Sequence, residues 1–573
     1  MYELKQQTVR HILIGIALAL CCLATPAGAQ QQGGDGAQPG QIEKRIEETV
    51  TDKQRQDERL EPAPAPPRAP AAAPEPAEPR LSFTLAAVTI SGATMFTPAE
   101  LAPLYEAFLA TRITDAEATE IARRVTEKYV EAGYILSRAV VPPQQIVTGV
   151  LQLRVIEGYA AEVRIDGIDP DRFMIRSFLR GITEARPLTL ARLERAILLI
   201  EDSAGITVDR SQFDQGDGNG AYILNMTLSH DYVDATVYAD NRGTPAVGRS
   251  QLWLSSGVNQ LLGIGERVQA GIFTVPAQPQ ELQYGELRYI QPIGGDGLQV
   301  SLTGSYTMVD GGSNQALTDT ESDTRRGVVQ VAYPLVRARL FNIWLNGFFD
   351  YRDSSEDQFN RLSYDDRLRV ARLRANVTLR DDWDGTNWAI GTISRGLDIF
   401  GASTAGSSAL SRTDGEPEFV KFYLDVGRTQ DIGQNYAIEI SAIGQKSNRP
   451  LLSSEEIGIG GSRFGRAYDF AEVTGDDGLA GSVELRRVFR TDDADLDYIQ
   501  LYGFYDIGAV WNRNAARAEF SRQSLSSTGI GVRAAVLGAA QVSAEIAKPL
   551  TRPVFASNND NGLRAFFSLS ASF

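Results

Sequence analysis

From about Val233 to Phe573 the chain alternates apolar and polar residues in short runs, without a long helical period. In Gln299 to Met308 the residues Val300, Leu302, Gly304, Tyr306 and Met308 share one face of a strand, and Gln299, Ser301, Thr303, Ser305 and Thr307 the other. Val420 to Val426 separates Val420, Phe422, Leu424 and Val426 from Lys421, Tyr423 and Asp425. The C-terminal run sets Leu563, Ala565, Phe567, Leu569, Ala571 and Phe573 against Arg564, Ser568, Ser570 and Ser572. Sixteen such segments begin near residues 233, 249, 266, 282, 297, 325, 341, 367, 386, 417, 436, 478, 497, 526, 540 and 563. The number is even, and most segments are about ten residues long, enough to cross a bilayer when tilted. Connections on one side are tight, as at Gly294-Gly295-Asp296, and on the other long, as from Asp310 to Arg325. The pattern predicts a membrane β-barrel of about sixteen antiparallel strands over residues 232–573. A soluble sheet is the alternative, because alternation does not say which face meets lipid.

Before the barrel, a mixed pattern occurs twice. Val88 to Gly92 (VTISG) is echoed 75 residues later by Val163 to Gly167 (VRIDG). Thr114 opens a helix with a capping box to Glu117, and Thr189 opens another at the same interval. Ile121, Val125 and Tyr129 line one helix face, and Leu190, Leu193, Ile197 and Ile200 the other's. Gly133 and Gly205 are natural stops, and two alternating strands follow each helix. Each unit reads β-α-α-β-β, which places two α+β repeats at 81–158 and 159–231.

Upstream, Gln30 to Arg80 is poor in apolar residues. Ile42, Ile46 and Val50 recur every four positions within a charged stretch, predicting a polar helix with a thin apolar stripe inside segment 30–61. Residues 62–80 are rich in proline and alanine and predict a stiff, extended linker. Lys5 and Arg10, the apolar run Ile12 to Leu23 and Ala27-Gly28-Ala29 form a secretory leader over 1–29.

Composition narrows the function. Both cysteines, Cys21 and Cys22, fall inside the leader, so the remaining chain has no disulfide and no cysteine metal site. A net charge of -16 argues against nucleic acid as a partner. Outside the leader one histidine remains, His230, and no HExxH, GxSxG or phosphate-loop pattern occurs. The chain is read as a non-enzyme with no catalytic residue, metal or cofactor; a serine and carboxylate hydrolase of the outer membrane is the enzyme alternative.

The candidate chemistry lies between segments eleven and twelve, in a connection at 446–478 that is the longest in the barrel. Glycines at 458, 460, 461, 465, 475 and 478 let it fold inward. It carries Arg463, Arg466 and Tyr468. In segment thirteen, Asp506 shares a face with Gln500, Tyr502 and Phe504 and points into the lumen, where a carboxylate needs a partner or water. Arg466 can supply a bidentate one; two solvated, separate lumen charges are the plainer alternative.

These features together resemble the two-partner secretion transporters (TpsB type) of the POTRA-bearing outer-membrane barrel superfamily. In that family the sixth extracellular loop enters the barrel, and a Val-Arg-Gly-Tyr/Phe tip pairs with the aspartate of an F-x-D-x-G strand motif. Here the tip is Gly465-Arg466-Ala467-Tyr468 and the strand motif Tyr505-Asp506-Ile507-Gly508. The first and third tip positions differ, which leaves Arg463 a competitor for Asp506. Gly133 to Gln144, with Gly133, Tyr134, Ser137, Arg138, Pro142 and Gln144, and Asp240 to Thr244 (DNRGT) also look like stretches of this family. The resemblance implies export of an unfolded β-helical exoprotein by type V secretion. It further implies periplasmic repeats that capture it, a helix in the lumen at rest, and a monomeric barrel in outer-membrane lipid and lipopolysaccharide. An insertase for other barrels is the second reading and a passive porin the third.

Overall fold

The computed structural model describes residues 41–46, 82–146, 148–312, 319–493, 495–514, 520–554 and 561–573. The leader, the proline-rich linker and the rest of the expected lumen helix, including Val50, lie outside the described residues.

Two α+β units precede the barrel. In the first, the strands Ala87–Ser91, Val150–Ile156 and Arg138–Val140 form a sheet in that order, with the first pair parallel and the second antiparallel. The second repeats this arrangement with Tyr159–Asp166, Ala221–His230 and Ile206–Gln215. Against the first sheet packs the helix Asp115–Glu131, which buries Ile121, Val125 and Tyr129 on Leu151, Leu153 and Val155. Leu193, Ile197 and Ile200 of the helix Leu190–Glu201 bury against Leu224, Met226 and Leu228 in the second. Each such side chain contributes about 1.5–3 kcal/mol of apolar burial. Gly92 and Gly167 hold matching places in the repeat: both have positive φ, and both press on a carbonyl of the central strand, that of Val155 or Leu228. The first unit departs from β-α-α-β-β where its first helix was expected. Only Pro98–Leu101 is α-helical there, followed by 3-10 turns, because Pro98 can only start a helix and Pro103 cannot continue one. A small extra pair, Ser82–Thr84 with Arg112–Thr114, flanks it.

Two titratable groups of these units serve structure. Glu157 accepts hydrogen bonds from Thr94 and Met95 backbone N–H groups and from Tyr129 Oη (2.9 Å). Burial works against its charge, but the bonds from Thr94 and Tyr129 outweigh it and hold its carboxyl below the ordinary range. His230 ends the second unit with its ring 4.8 Å from Phe173 and 4.2 Å from Tyr232. Burial pushes its imidazole down, and neither ring nitrogen has a hydrogen-bond partner, so it packs as a neutral ring.

Among the described residues, sixteen strands close into one antiparallel barrel, from Val233–Asp240 through Gln251–Asn259 and onward to Arg564–Ser572, which pairs back with the first. Each expected segment corresponds to one strand, starting at residues 233, 251, 267, 283, 298, 321, 341, 361, 385, 420, 436, 477, 496, 522, 540 and 564. Lengths differ from the ten residues expected. The sixth to eighth strands, Glu321–Arg337, Phe341–Gln358 and Arg361–Arg380, run to 17, 18 and 20 residues, because pairing continues through polar sequence beyond the apolar band. The connection expected from Asp310 to Arg325 therefore shrinks to 311–320. Apolar side chains such as Leu287, Leu302, Phe422 and Leu424 face outward and are exposed, while Thr307, Thr324, Asp350 and Asp425 face inward and are buried. That inversion is what lipid outside and a polar lumen demand.

The second unit is docked on the periplasmic turns. Arg195 Nη2 donates to Asp296 O (3.0 Å) and Pro334 O (2.9 Å), and Arg337 forks onto Asp202 (2.7 and 2.9 Å). The Phe173 N–H donates to Gly263 O at 3.0 Å.

Residues 41–46 are helical and lie against the inner wall. Ile42 and Ile46 bury among Trp253, Phe273, Tyr284 and Val309. Glu43 accepts from Thr307 Oγ1 (3.1 Å) and faces Arg352 (3.4 Å), while Arg45 meets Asp240 (3.4 Å). Ile46→Asp would place an unpaired charge in that apolar seat at a cost of ~2 kcal/mol or more. Release of the segment is the expected outcome, seen in planar bilayers as larger and more frequent open-channel conductance than the wild-type chain shows.

Candidate functional site: the loop lock inside the barrel

The connection between the eleventh strand, Tyr436–Ser447, and the twelfth, Asp477–Asp493, covers 448–476. It folds into the lumen as a short hairpin, Ile457–Ile459 paired with Val473–Gly475. Ile457, Ile459, Phe464, Tyr468 and Val473 pack with the wall residues Tyr502, Phe504, Val510 and Leu525. Gly508 of the thirteenth strand makes room for this approach: a Cβ there would lie 2.9 Å from Ile459 and 3.0 Å from Ala480.

At the turn of the hairpin, Arg466 meets Asp506. Its Nη2 donates to Asp506 Oδ1 at 3.1 Å and its Nε to Oδ2 at 3.2 Å. The backbone N–H groups of Gly465 (3.2 Å) and Arg466 (2.9 Å) donate to the same Oδ2. Hydroxyls of Ser482 (2.8 Å) and Ser527 (3.1 Å) complete the set. Asp506 is thereby fully buried yet surrounded by donors, which replace the hydrogen bonds that water would give it. The guanidinium lies over the Phe504 ring, 3.5 Å from its centroid, and also pairs with Glu484, which Arg533 and Arg486 hold in turn.

The other tip residues hold the loop by different means. Ala467 is fully buried, and its carbonyl accepts from Arg564 Nη1 (2.7 Å). Tyr468 Oη donates to the carbonyls of Ser526 (3.2 Å) and Arg552 (3.0 Å). Arg463 does not compete for Asp506: it pairs with Asp425 of the tenth strand (2.8 Å). Tyr505, in the strand motif, faces outward and takes no part. Sequence reasoning missed Glu484, Ser482 and Ser527. The alternation of the twelfth strand could have placed Ser482 and Glu484 inward, and the register sets Ser482 beside Asp506.

The turn Asp240 to Thr244 ties the loop to the lumen helix. Arg242 donates to the carbonyl of Arg466 (3.1 Å) and to Glu545 (2.6 Å), while Asp240 receives Arg45, the Tyr238 hydroxyl (2.8 Å) and the Arg242 N–H (2.9 Å). On the loop's other side Gln41 donates to Ser453 O (2.6 Å), and Glu455 pairs with Arg372 (2.6 Å) and Lys421 (2.8 Å).

The residues of Gly133 to Gln144 gather at one edge of the first unit. Gly133 follows the helix with φ +88, and Tyr134 packs on Phe96 and Tyr129. The Ser137 hydroxyl accepts from the Gly158 N–H (3.1 Å). Arg138 begins the exposed edge strand, and Pro142 lies just beyond it. Gln144 imitates a neighbouring strand, donating to Gln152 O and accepting from the Gln152 N–H, both at 2.8 Å.

A closed sixteen-strand barrel with an inward loop and α+β units on its periplasmic side defines a transport barrel of the outer membrane. The chain belongs to the haemolysin secretion/activation protein family ShlB/FhaC/HecB, whose family model matches residues 223–534; a POTRA domain of ShlB type matches residues 83–158. Among curated relatives, the heme/hemopexin transporter protein HuxB of Haemophilus influenzae (strain 86-028NP) is 21% identical over 487 residues, 82% of this chain and 83% of the relative. The outer membrane transporter CdiB of Escherichia coli O6:K15:H31 (strain 536 / UPEC) is 26% identical over 261 residues, 45% of this chain and 43% of the relative. The solved structure of CdiB from Escherichia coli superposes with a TM-score of 0.74 at 21% identity, covering 95% of this chain and 100% of that one. The chain is thus an outer-membrane transporter of two-partner secretion, its POTRA domain in the periplasm, and it serves a secreted exoprotein. The family is one of secretion channels.

Alanine at Arg466 or Asp506 is expected to cost the lock about 3–5 kcal/mol, since each change leaves a buried charge short of its partner. The urea midpoint of the folded, heat-modifiable barrel should fall, and secretion should be impaired although the barrel still inserts. In a double-mutant cycle the combined loss should fall at least ~1 kcal/mol short of the sum; simple additivity would mean the contact carries no energy. Arg466→Lys should not restore the lock, because an ammonium neither forks onto Asp506 nor lies flat on Phe504.

Proposed function

We propose that the chain captures an unfolded, β-helical exoprotein with its periplasmic units and passes it through the barrel lumen. One observation carries the transport step: two pieces of the chain itself, segment 41–46 and the loop 448–476, occupy the lumen and touch each other and the same turn, Asp240 to Thr244. Export would then begin with release of the helix and rearrangement of the loop, with Arg466–Asp506 as the contact that holds the loop at rest. The unit 159–231 acts as a second POTRA domain, a reading supported by its matching sheet order. The segment over 62–80 acts as the tether of the displaced helix. The barrel works as a monomer in phospholipid and lipopolysaccharide without a catalytic step, and folding of the exoprotein outside supplies the drive.

Capture proceeds by strand addition, in which main-chain hydrogen bonds bind with little demand on side chains. Three-stranded sheets leave both outer strands open, and in the first unit these are Ala87–Ser91 and Arg138–Val140. Past Val140, Gln144 continues the line of that strand by satisfying the backbone of Gln152 in the central strand.

Deletion of 83–158 is expected to abolish export of the partner while leaving membrane insertion and ion conductance. A partner-secretion assay beside a profile of the outer membrane reads both. Loss of several unrelated outer-membrane proteins in the deletion strain would favour an insertase instead, and unchanged export would show that this unit is not the receptor.

A further inference from the structure

The outer wall of the barrel carries a feature that transport does not use. Arg487 of the twelfth strand shares the lipid-facing side with Val483, Leu485 and Phe489. A charge on that face is costly. Its guanidinium lies 5.3 Å from the Tyr436 ring centroid and 4.6 Å from that of Phe489, and no carboxylate among the described residues pairs with it. Arg487 stands level with the periplasmic end of the neighbouring strand: it is the register partner of Tyr436, the first residue of Tyr436–Ser447. The Val488 N–H donates to Asn435 O in the turn below (2.8 Å). Aromatic rings beside an arginine at the end of a membrane strand are the side chains that an interface with lipid headgroups selects.

From Arg487 an apolar groove of about 660 Å³ climbs the wall across the eleventh to sixteenth strands, past Leu485, Gly503, Ile530 and Ile546 to Phe567. Six adjacent strands span ~24 Å, enough for an extended acyl chain. The far end, Phe567, is the fourth of nine residues in its strand, so the groove runs from the level of Arg487 into the middle of the wall. Its floor is open at Gly503, where a Cβ would meet nothing closer than 3.8 Å.

We propose that this groove holds one anionic glycerophospholipid of the periplasmic leaflet, with its phosphate on Arg487 and an acyl chain across Gly503. A guanidinium fits a phosphate bidentately, and the unpaired charge selects an anionic headgroup over a zwitterionic one. An arginine that merely reaches for water along its own stem needs no groove beside it.

Native mass spectrometry of the full chain, purified in detergent and stripped of lipid, tests the site with dioleoyl phosphatidylglycerol and dioleoyl phosphatidylcholine. The wild-type chain should retain one phosphatidylglycerol in preference to phosphatidylcholine, by about fivefold. Arg487→Gln should abolish the preference, and Gly503→Phe, which fills the groove, should weaken both lipids. Each variant is checked for the heat-modifiable barrel form; Arg487→Gln alters an exposed position and keeps the test standing if Gly503→Phe does not fold. Equal binding of the two lipids by the wild-type chain overturns the proposal. So does undiminished phosphatidylglycerol binding by the folded variants, or displacement of the lipid by equimolar inorganic phosphate.

Discussion

A carboxylate without solvent must find all its donors in the protein, and Asp506 sets that demand on the inner wall of the barrel. Two backbone N–H groups, two hydroxyls and one guanidinium answer it, and three of these five donors belong to the loop tip. The loop is therefore part of the wall's electrostatic balance. Its removal would leave Asp506 with serine hydroxyls alone, and Glu484 with Arg533 and Arg486. The wall favours an occupied lumen for the same reason a buried charge favours its partner.

This dependence extends to the helical segment. Its charged residues, Glu43 and Arg45, meet Arg352 and Asp240, while Gln41 reaches the loop backbone. Arg242 donates to the loop-tip carbonyl from the same turn whose Asp240 receives Arg45. The two lumen elements are thus joined through a short piece of main chain, and movement of either changes the partners offered to the other. Such coupling between polar groups exceeds what single contacts suggest.

Much of this was legible in the sequence, and the reasons are physical. A strand with lipid outside must alternate, so all sixteen strands could be counted from residues such as Leu302 and Thr307. The repeat was visible because each copy needs the same glycine, Gly92 or Gly167, at the same close approach. Asp506 could be placed inward by parity and Arg466 offered as its partner by type. Partner choice was less accessible. Arg463 and Arg466 differ by three positions, yet one reaches Asp425 and the other Asp506, because the hairpin fixes where each emerges. Glu484 and Ser482 depended on the register between the twelfth and thirteenth strands, which alternation does not give. The long sixth to eighth strands were hidden because, outside the apolar band, backbone pairing no longer requires apolar side chains. Gln144 could not be foreseen as a mimic of a strand, since its role depends on where a loop places one amide.

The contacts of Arg195 and Arg337 give the periplasmic arm a mechanical meaning. They fasten the second unit to hairpins between the fourth and seventh strands, and Phe173 fastens it to the hairpin between the second and third. All these holds lie on the second to seventh strands, whereas the arm runs on into the closing pair, Val233–Asp240 and Arg564–Ser572, through the covalent chain at Asp231 and Tyr232. A tug on the arm by a long polymer would accordingly load the barrel as a lever loads a hinge, pressing on the fastened hairpins and drawing at the seam. The arm's footing thus decides which stretch of the wall bears the strain of a passing chain.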